Sequence, residues 1–87
     1  MIYTPKMKAA VKSIPVPVDF SLDIIEYNFA PPYIGLRFYE SQWRHLSENE
    51  RIKCISYLAK VKKVIESYGV QVTVDPVYDI PGVQKIG

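Results

Sequence analysis

The sequence predicts an α+β fold, in which one long helix packs on one face of a three-stranded, mainly antiparallel sheet in the order β-β-α-β. Three observations predict it: a helix with recognisable ends between Ser47 and Gly69, two alternating apolar segments before it, and one after it. Eighty-seven residues suffice for one hydrophobic core. We expect an α+β domain over residues 15–76, a basic N-terminal arm over residues 1–14 and an irregular C-terminal segment over residues 77–87.

The first predicted strand has apolar residues at every second position from Val16 to Ile24. Such alternation is typical of a strand that is buried on one face. At Ile24 and Ile25 the alternation slips by one residue, and Ile25, Tyr27 and Phe29 continue it. One extra residue in the strand would keep the apolar set on the buried side, so the slip predicts a β-bulge.

The second predicted strand follows Pro31 and Pro32, which lack an amide hydrogen and interrupt strand pairing. Its apolar residues are Ile34, Leu36 and Phe38, and they alternate with Tyr33, Gly35, Arg37 and Tyr39. The pattern predicts a hairpin across the two prolines, with the first set of side chains buried and the second set on the opposite face of the sheet.

The helix is predicted from its ends and from its apolar face. Ser47 and Glu50 have the spacing of a capping box, and Gly69 can adopt the left-handed conformation that closes a helix. At 100° per residue, its apolar residues fall within an arc of about 120°, as expected for a helix that packs on a sheet. They are Cys54, Tyr57, Leu58, Val61, Val64, Ile65 and Tyr68.

The third predicted strand alternates from Val70 to Val74 and ends before Pro76. A right-handed crossover through the helix would set this strand parallel to the second strand. Placement beside the first strand would instead complete an antiparallel sheet.

Composition excludes several classes of protein. No stretch approaches the roughly 20 apolar residues that a membrane-spanning helix needs, so we expect no membrane partner. The lysines near the N-terminus are not followed by a continuous apolar segment, unlike those of a secretory signal. A single cysteine cannot form an internal disulfide and fits a reducing compartment, so we expect a cytoplasmic protein.

No residue pattern indicates catalysis, a metal or a cofactor. His45 is the only histidine and has no neighbouring nucleophile and base arrangement. Cys54 lies on the predicted buried face, where a thiol acts as a small apolar side chain. One cysteine and one histidine cannot supply the four ligands of a structural zinc site. We therefore predict a protein that is not an enzyme and binds no cofactor.

The N-terminal charges allow two interpretations. Lys6, Lys8 and Lys12 are the only charged residues among residues 1–12, and the remainder of the chain is nearly neutral. A solvated tail is the simpler interpretation, although Tyr3 and Met7 could instead pack on the domain. The alternative is an arm that contacts nucleic-acid phosphates.

Two surfaces are candidates for binding. The first is an aromatic and arginine patch on the open sheet face, because tyrosine, tryptophan and arginine dominate binding hot spots; its predicted members are Tyr33, Arg37, Tyr39, Trp43 and Arg44. The second is an apolar strip on the helix, suited to contact with a second copy in a homodimer: Ile52, Ile55 and Ala59. Either surface could instead be covered by a terminal segment of the chain.

The sequence thus predicts a non-enzymatic protein-binding module, such as an adaptor, inhibitor or assembly subunit, that uses the aromatic and arginine patch. The alternative is a single-stranded nucleic-acid-binding protein that uses the basic arm and the exposed tyrosines. Charge favours a protein partner, because Asp19, Asp23, Glu26 and Asp75 share or border the predicted sheet face and would repel phosphates.

Overall fold

The computed structural model describes residues 2–75. It confirms the predicted α+β class, with a mixed three-stranded sheet and one long helix. The elements in chain order are α1 (Pro5–Lys12), β1 (Asp23–Tyr27), β2 (Tyr33–Arg37), α2 (Glu40–Arg44), α3 (Glu48–Glu66) and β3 (Gln71–Asp75). The predicted C-terminal segment, residues 77–87, lies outside the described residues.

Helix α3 has the predicted ends. The Ser47 amide donates to Glu50 Oε1 at 2.8 Å and the Glu50 amide donates to Ser47 Oγ at 3.2 Å, which completes the capping box. Gly69 follows the helix with φ of +82°, in the left-handed region. The predicted apolar arc is buried over most of its length, whereas Tyr68, at its far end, is 45% exposed.

The sheet has the strand order β1-β2-β3. β1 and β2 form the predicted antiparallel hairpin, and β3 lies parallel to β2 on its other edge. β3 therefore does not lie beside β1. The five-residue connection between Tyr27 and Tyr33 places β1 against one edge of β2. After α3, β3 therefore pairs with the other edge of β2, which β1 does not occupy.

β1 is shorter than predicted, and the β-bulge is not present. The pairing register runs without interruption from Asp23 opposite Arg37 to Tyr27 opposite Tyr33. The preceding residues, 13–22, are irregular, consistent with two prolines that cannot donate to a strand ladder. Phe20 is buried there by packing on the ring of Phe38, with centroids 5.4 Å apart, rather than by strand pairing.

The slip at Ile24 and Ile25 has a different cause from a bulge. Ile24 lies opposite Leu36 on the buried face of the sheet, whereas Ile25 lies opposite Gly35 on the other face. The expectation that Ile25, Tyr27 and Phe29 continue the buried face was wrong, since in a regular strand the side chains of Ile25 and Tyr27 point away from that of Ile24.

The N-terminal segment is folded and contributes to the core. Thr4 caps α1 by accepting the Met7 amide, and Met7 and Val11 are buried at 2% and 6% exposure. The Tyr3 amide donates to Glu26 Oε1 at 2.6 Å, which fastens the start of the chain to β1. Residues 5–12 are therefore part of the packed domain and not a solvated tail, because the apolar side of α1 packs beside α3.

One core joins the helices to one face of the sheet. Its most completely buried side chains come from α1, β2 and α3: Met7, Ile34, Leu36, Cys54, Val61 and Ile65. None of the helices among residues 2–75 is long and apolar enough to cross a membrane.

Candidate protein-binding surface

We call the face of the sheet that is turned away from the core the open face. The strand registers assign Tyr27 and Tyr33, Ile25 and Gly35, and Asp23 and Arg37 to this face as cross-strand pairs. Gln71 and Thr73 extend it onto β3. The buried residues of the three helices belong to the core on the other side of the sheet, so the open face is not part of that core.

A cluster of three aromatic rings dominates one end of the open face. The rings of Tyr27 and Tyr33 are stacked with centroids 4.7 Å apart, as expected for directly opposed residues of two antiparallel strands. Phe29, just beyond β1, lies 6.1 Å from Tyr27 and 6.0 Å from Tyr33. We call Tyr27, Phe29 and Tyr33 the ring cluster.

The ring cluster is accessible. Phe29 is 65% exposed, the largest value among the exposed large apolar side chains of the described residues, and the two tyrosines are half-buried. Gly35 provides the space for the Tyr27 ring, which lies over its backbone. A glycine inside a strand weakens the strand by itself, and an aromatic side chain packed over it replaces the missing contact.

Arg37 marks the other end of the open face. It is exposed, and its backbone is paired with Asp23 on β1 and with Asp75 on β3. Arg37 lies four positions after Tyr33 along β2, a span of about 13 Å. The open face therefore combines an apolar end with an end that carries a mixture of charges.

Two other predicted members of the patch lie near Arg37 in sequence. Tyr39 is 62% exposed and is the N-cap residue of α2. Arg44 is exposed at the end of α2 and pairs with Glu40 at 2.8 Å. Such an exposed pair contributes little to stability.

Trp43 does not lie on the surface. It is 5% exposed, and its ring packs on Phe38 with centroids 5.4 Å apart. The Arg51 guanidinium lies 5.6 Å from the Trp43 ring centroid, and Arg51 Nε donates to the Trp43 carbonyl at 3.2 Å. A single helical turn in α2 is enough to rotate Trp43 toward the core while Arg44 remains in solvent, a difference that residue type alone does not indicate.

The predicted strip on α3 is only partly exposed. Ile52 is 58% exposed and Ala59 is exposed, whereas Ile55 is half-buried and packs against the core. A contact with a second copy through this strip remains a prediction.

The single histidine and the single cysteine lie in different environments. His45 is exposed, while Cys54 has no exposed surface, and burial raises the pKa of its thiol. A raised pKa disfavours the thiolate, which is the reactive form. Within residues 2–75 there is no group of three or more histidine, cysteine or acidic side chains able to hold a metal.

The sequence-based patch contained Tyr33 and Arg37 but missed Tyr27 and Phe29. The sequence signal for these two residues was the shift in the apolar alternation at Ile25. Once β1 is taken to begin at Asp23, this shift places Ile25 and Tyr27 on the open face. Gly35 is a second signal, because an aromatic ring on the neighbouring strand can pack over a glycine of a sheet.

Comparisons with known proteins give no match to any family model, curated protein or solved structure. The geometry of the chain is therefore the basis for a proposal about its function.

Proposed function

We propose that this protein is a non-enzymatic protein-binding module that engages its partner through the open face. The observation that carries the proposal is the ring cluster, in which three aromatic side chains are packed together on an accessible sheet face. Aromatic side chains combine a large contact area with few rotatable bonds, so they lose little conformational entropy on binding. Adaptor, inhibitor and assembly subunit are all roles compatible with such a surface.

Preorganisation supports the proposal. Tyr27 and Tyr33 already stack on each other, and the Tyr27 ring is seated over Gly35, so a partner would meet rings that are largely fixed. Binding is stronger when the contact side chains do not have to be ordered during association. Arg37, at the far end of β2, and Tyr39, two residues beyond it, would contribute polar contacts at the opposite end of the open face from the ring cluster.

The charge distribution favours a protein partner over a single-stranded nucleic acid. Bases would stack on the ring cluster, but the phosphates between them need nearby cations. Arg37 is the cationic residue on the described strands, and it is paired in register with two aspartates. The lysines of α3 belong to the helix that covers the opposite side of the sheet.

The test compares capture of cellular proteins by wild type, by Phe29→Ala and by Tyr68→Ala. Phe29 and Tyr68 are both exposed aromatic residues, but Tyr68 follows the end of α3, and within residues 2–75 its ring is not paired with any ring of the cluster. We expect a protein that is retained by wild type and by Tyr68→Ala and is lost with Phe29→Ala. Its binding is then measured with purified components, where a hot-spot residue should weaken affinity at least tenfold.

Two results would contradict the proposal. The first is equal retention of every captured protein by wild type and Phe29→Ala. The second is salt-sensitive binding of single-stranded DNA or RNA, measured by fluorescence anisotropy, that Phe29→Ala abolishes. A thermal melt of each variant shows whether the fold is intact.

A further inference from the structure

A shallow cleft lies between α3 and the irregular segment of residues 13–22. Pro15 and Pro17 line one wall, and a stripe of α3 residues lines the other: Lys53, Ser56, Tyr57 and Lys60. Its volume is about 170 Å³. A protein cavity of about 150 Å³ holds a benzene ring, so a small ligand group fits here.

The spacing of the four α3 residues places them on the same side of the helix. They occupy positions i, i+3, i+4 and i+7, which form a single stripe along a helix. Ser56 and Tyr57 lie in the middle, and each lysine starts about one turn, or about 5 Å, to either side. The flexible stem of a lysine allows both ammonium groups to reach toward the middle of this stripe.

Within the described part of the chain, the cleft is lined by cations and hydroxyl groups and by no carboxylate. None of the six lining residues among residues 2–75 is acidic. Within residues 2–75, neither Lys53 nor Lys60 forms an ion pair. The carboxylate of Glu50, one turn before Lys53, accepts the Ser47 amide in the capping box, and this hydrogen bond, with a smaller contribution from the charge of Lys53, lowers the pKa of Glu50. The hydroxyl of Tyr57 is protonated at neutral pH, as in any ordinary tyrosine, and burial raises its pKa further.

Both walls of the cleft are held in place without a ligand. Tyr57 is 8% exposed and belongs to the core, which fixes the α3 side. On the other side, Pro15 and Pro17 have restricted backbone angles. The same segment is fastened further along by Gln42, which donates to the Ser21 carbonyl at 2.7 Å and accepts the Ser21 amide at 3.0 Å.

We propose that this cleft binds a phosphomonoester group. Such a group carries between one and two negative charges at neutral pH and has three acceptor oxygens, which match the two lysines and the two hydroxyl-bearing residues that line the cleft. A carboxylate has one charge and would leave part of this donor set unmatched. The proline rings provide an apolar wall for whatever small group the phosphate is attached to. This proposal does not depend on the function of the open face.

The experiment is a titration of the full chain, followed by ¹H–¹⁵N NMR, with inorganic phosphate and separately with phenyl phosphate. Sodium chloride keeps the ionic strength constant, because screening alone changes weak electrostatic binding. We expect saturable shifts of the Ser56 and Tyr57 amide signals with both ligands. Tighter binding of phenyl phosphate would support a phosphomonoester whose attached group contacts the proline wall, and equal binding would overturn that part and leave a site for free phosphate.

Matched variants separate the cleft from general positive charge. Lys60→Gln removes a lining cation and Lys62→Gln removes an exposed cation outside the cleft. We expect Lys60→Gln to weaken binding about tenfold, as for loss of a hydrogen bond to a charged group, and Lys62→Gln to leave it within twofold. Tyr57→Phe keeps the ring in the core and tests the hydroxyl alone.

Shifts that increase linearly without saturation would overturn the proposal. Equal weakening by Lys60→Gln and Lys62→Gln would also overturn it, since that result indicates a diffuse charge effect. Because Lys60 and Lys62 are both exposed, neither substitution should change the thermal melt.

Discussion

The ring of Tyr27 lies so close over Gly35 that a β-carbon added at Gly35 would meet Tyr27 Cε2 at 2.7 Å. The nearest other side chain, that of Thr73, is at an ordinary contact distance of 3.6 Å. The position of one aromatic ring on the open face therefore depends on the absence of one side chain on the neighbouring strand.

Gly35→Ala should displace the Tyr27 ring and lower the free energy of unfolding by about 1 kcal/mol, the lower end of the usual cost of overpacking, because the ring can swing outward. In a Tyr27→Ala background the same substitution should be neutral or slightly stabilising, since alanine has less freedom than glycine in the unfolded chain. Urea denaturation of the four proteins in this double-mutant cycle measures the coupling. Additive effects would show that the two residues do not constrain each other.

Trp43→Ala should destabilise the protein by about 3–5 kcal/mol, the usual cost of removing a buried aromatic side chain. For a domain of this size, that loss is comparable to much of the total stability. Tyr39→Ala should change stability by no more than about 0.5 kcal/mol, because Tyr39 is 62% exposed. Thermal and urea unfolding of both variants compares them directly. A stable, native-like Trp43→Ala would contradict the core position of its ring.

Ser47→Ala should lower the free energy of unfolding by about 1 kcal/mol through loss of the helix cap. Denaturation in urea at neutral pH provides the measurement. Ser47→Asp, which keeps a capping oxygen, is the matched control and should retain most of the wild-type stability.

The same capping box predicts a dependence on pH. The hydrogen bond from the Ser47 amide lowers the pKa of Glu50 in the folded protein. A depressed folded-state pKa stabilises the fold at pH values above the ordinary pKa of glutamate, and this stabilisation is lost as pH falls through the lowered value. Wild type should therefore be more stable than Glu50→Gln at pH 7, and the difference should shrink as pH falls through the lowered pKa of Glu50. A difference that stays constant on acidification would assign the effect to something other than the carboxylate charge.

Ile52→Asp tests the strip on α3 with little risk to the fold, because Ile52 is 58% exposed whereas Ile55 packs against the core. If the strip forms a homodimer contact, sedimentation velocity should show a dimer for wild type and a monomer for Ile52→Asp, since a buried unpaired charge opposes association. Lys62→Asp provides a control at an exposed charged position. A monomeric wild type at high concentration would remove the assigned role of the strip.

The sequence alone was sufficient for features that depend on neighbours along the chain. The capping box at Ser47, the left-handed Gly69 and the buried arc of α3 follow from local hydrogen bonding and from the 3.6-residue period. The hairpin across Pro31 and the outward position of Arg37 follow equally from the two-residue period of a strand.

Tertiary packing decided the features of the fold that the local sequence pattern does not determine. Two apolar residues, Met7 and Val11, are too few to predict a buried helix from the sequence. They are buried because α1 packs beside α3. Whether a ring is buried or exposed depends on which surface faces it, so Trp43 packs inward on Phe38 while Phe29 stays in solvent beside Tyr33. The edge of β2 with which β3 pairs likewise depends on contacts between residues that are far apart in the chain. The periodicity of a segment describes only that segment and does not predict such contacts.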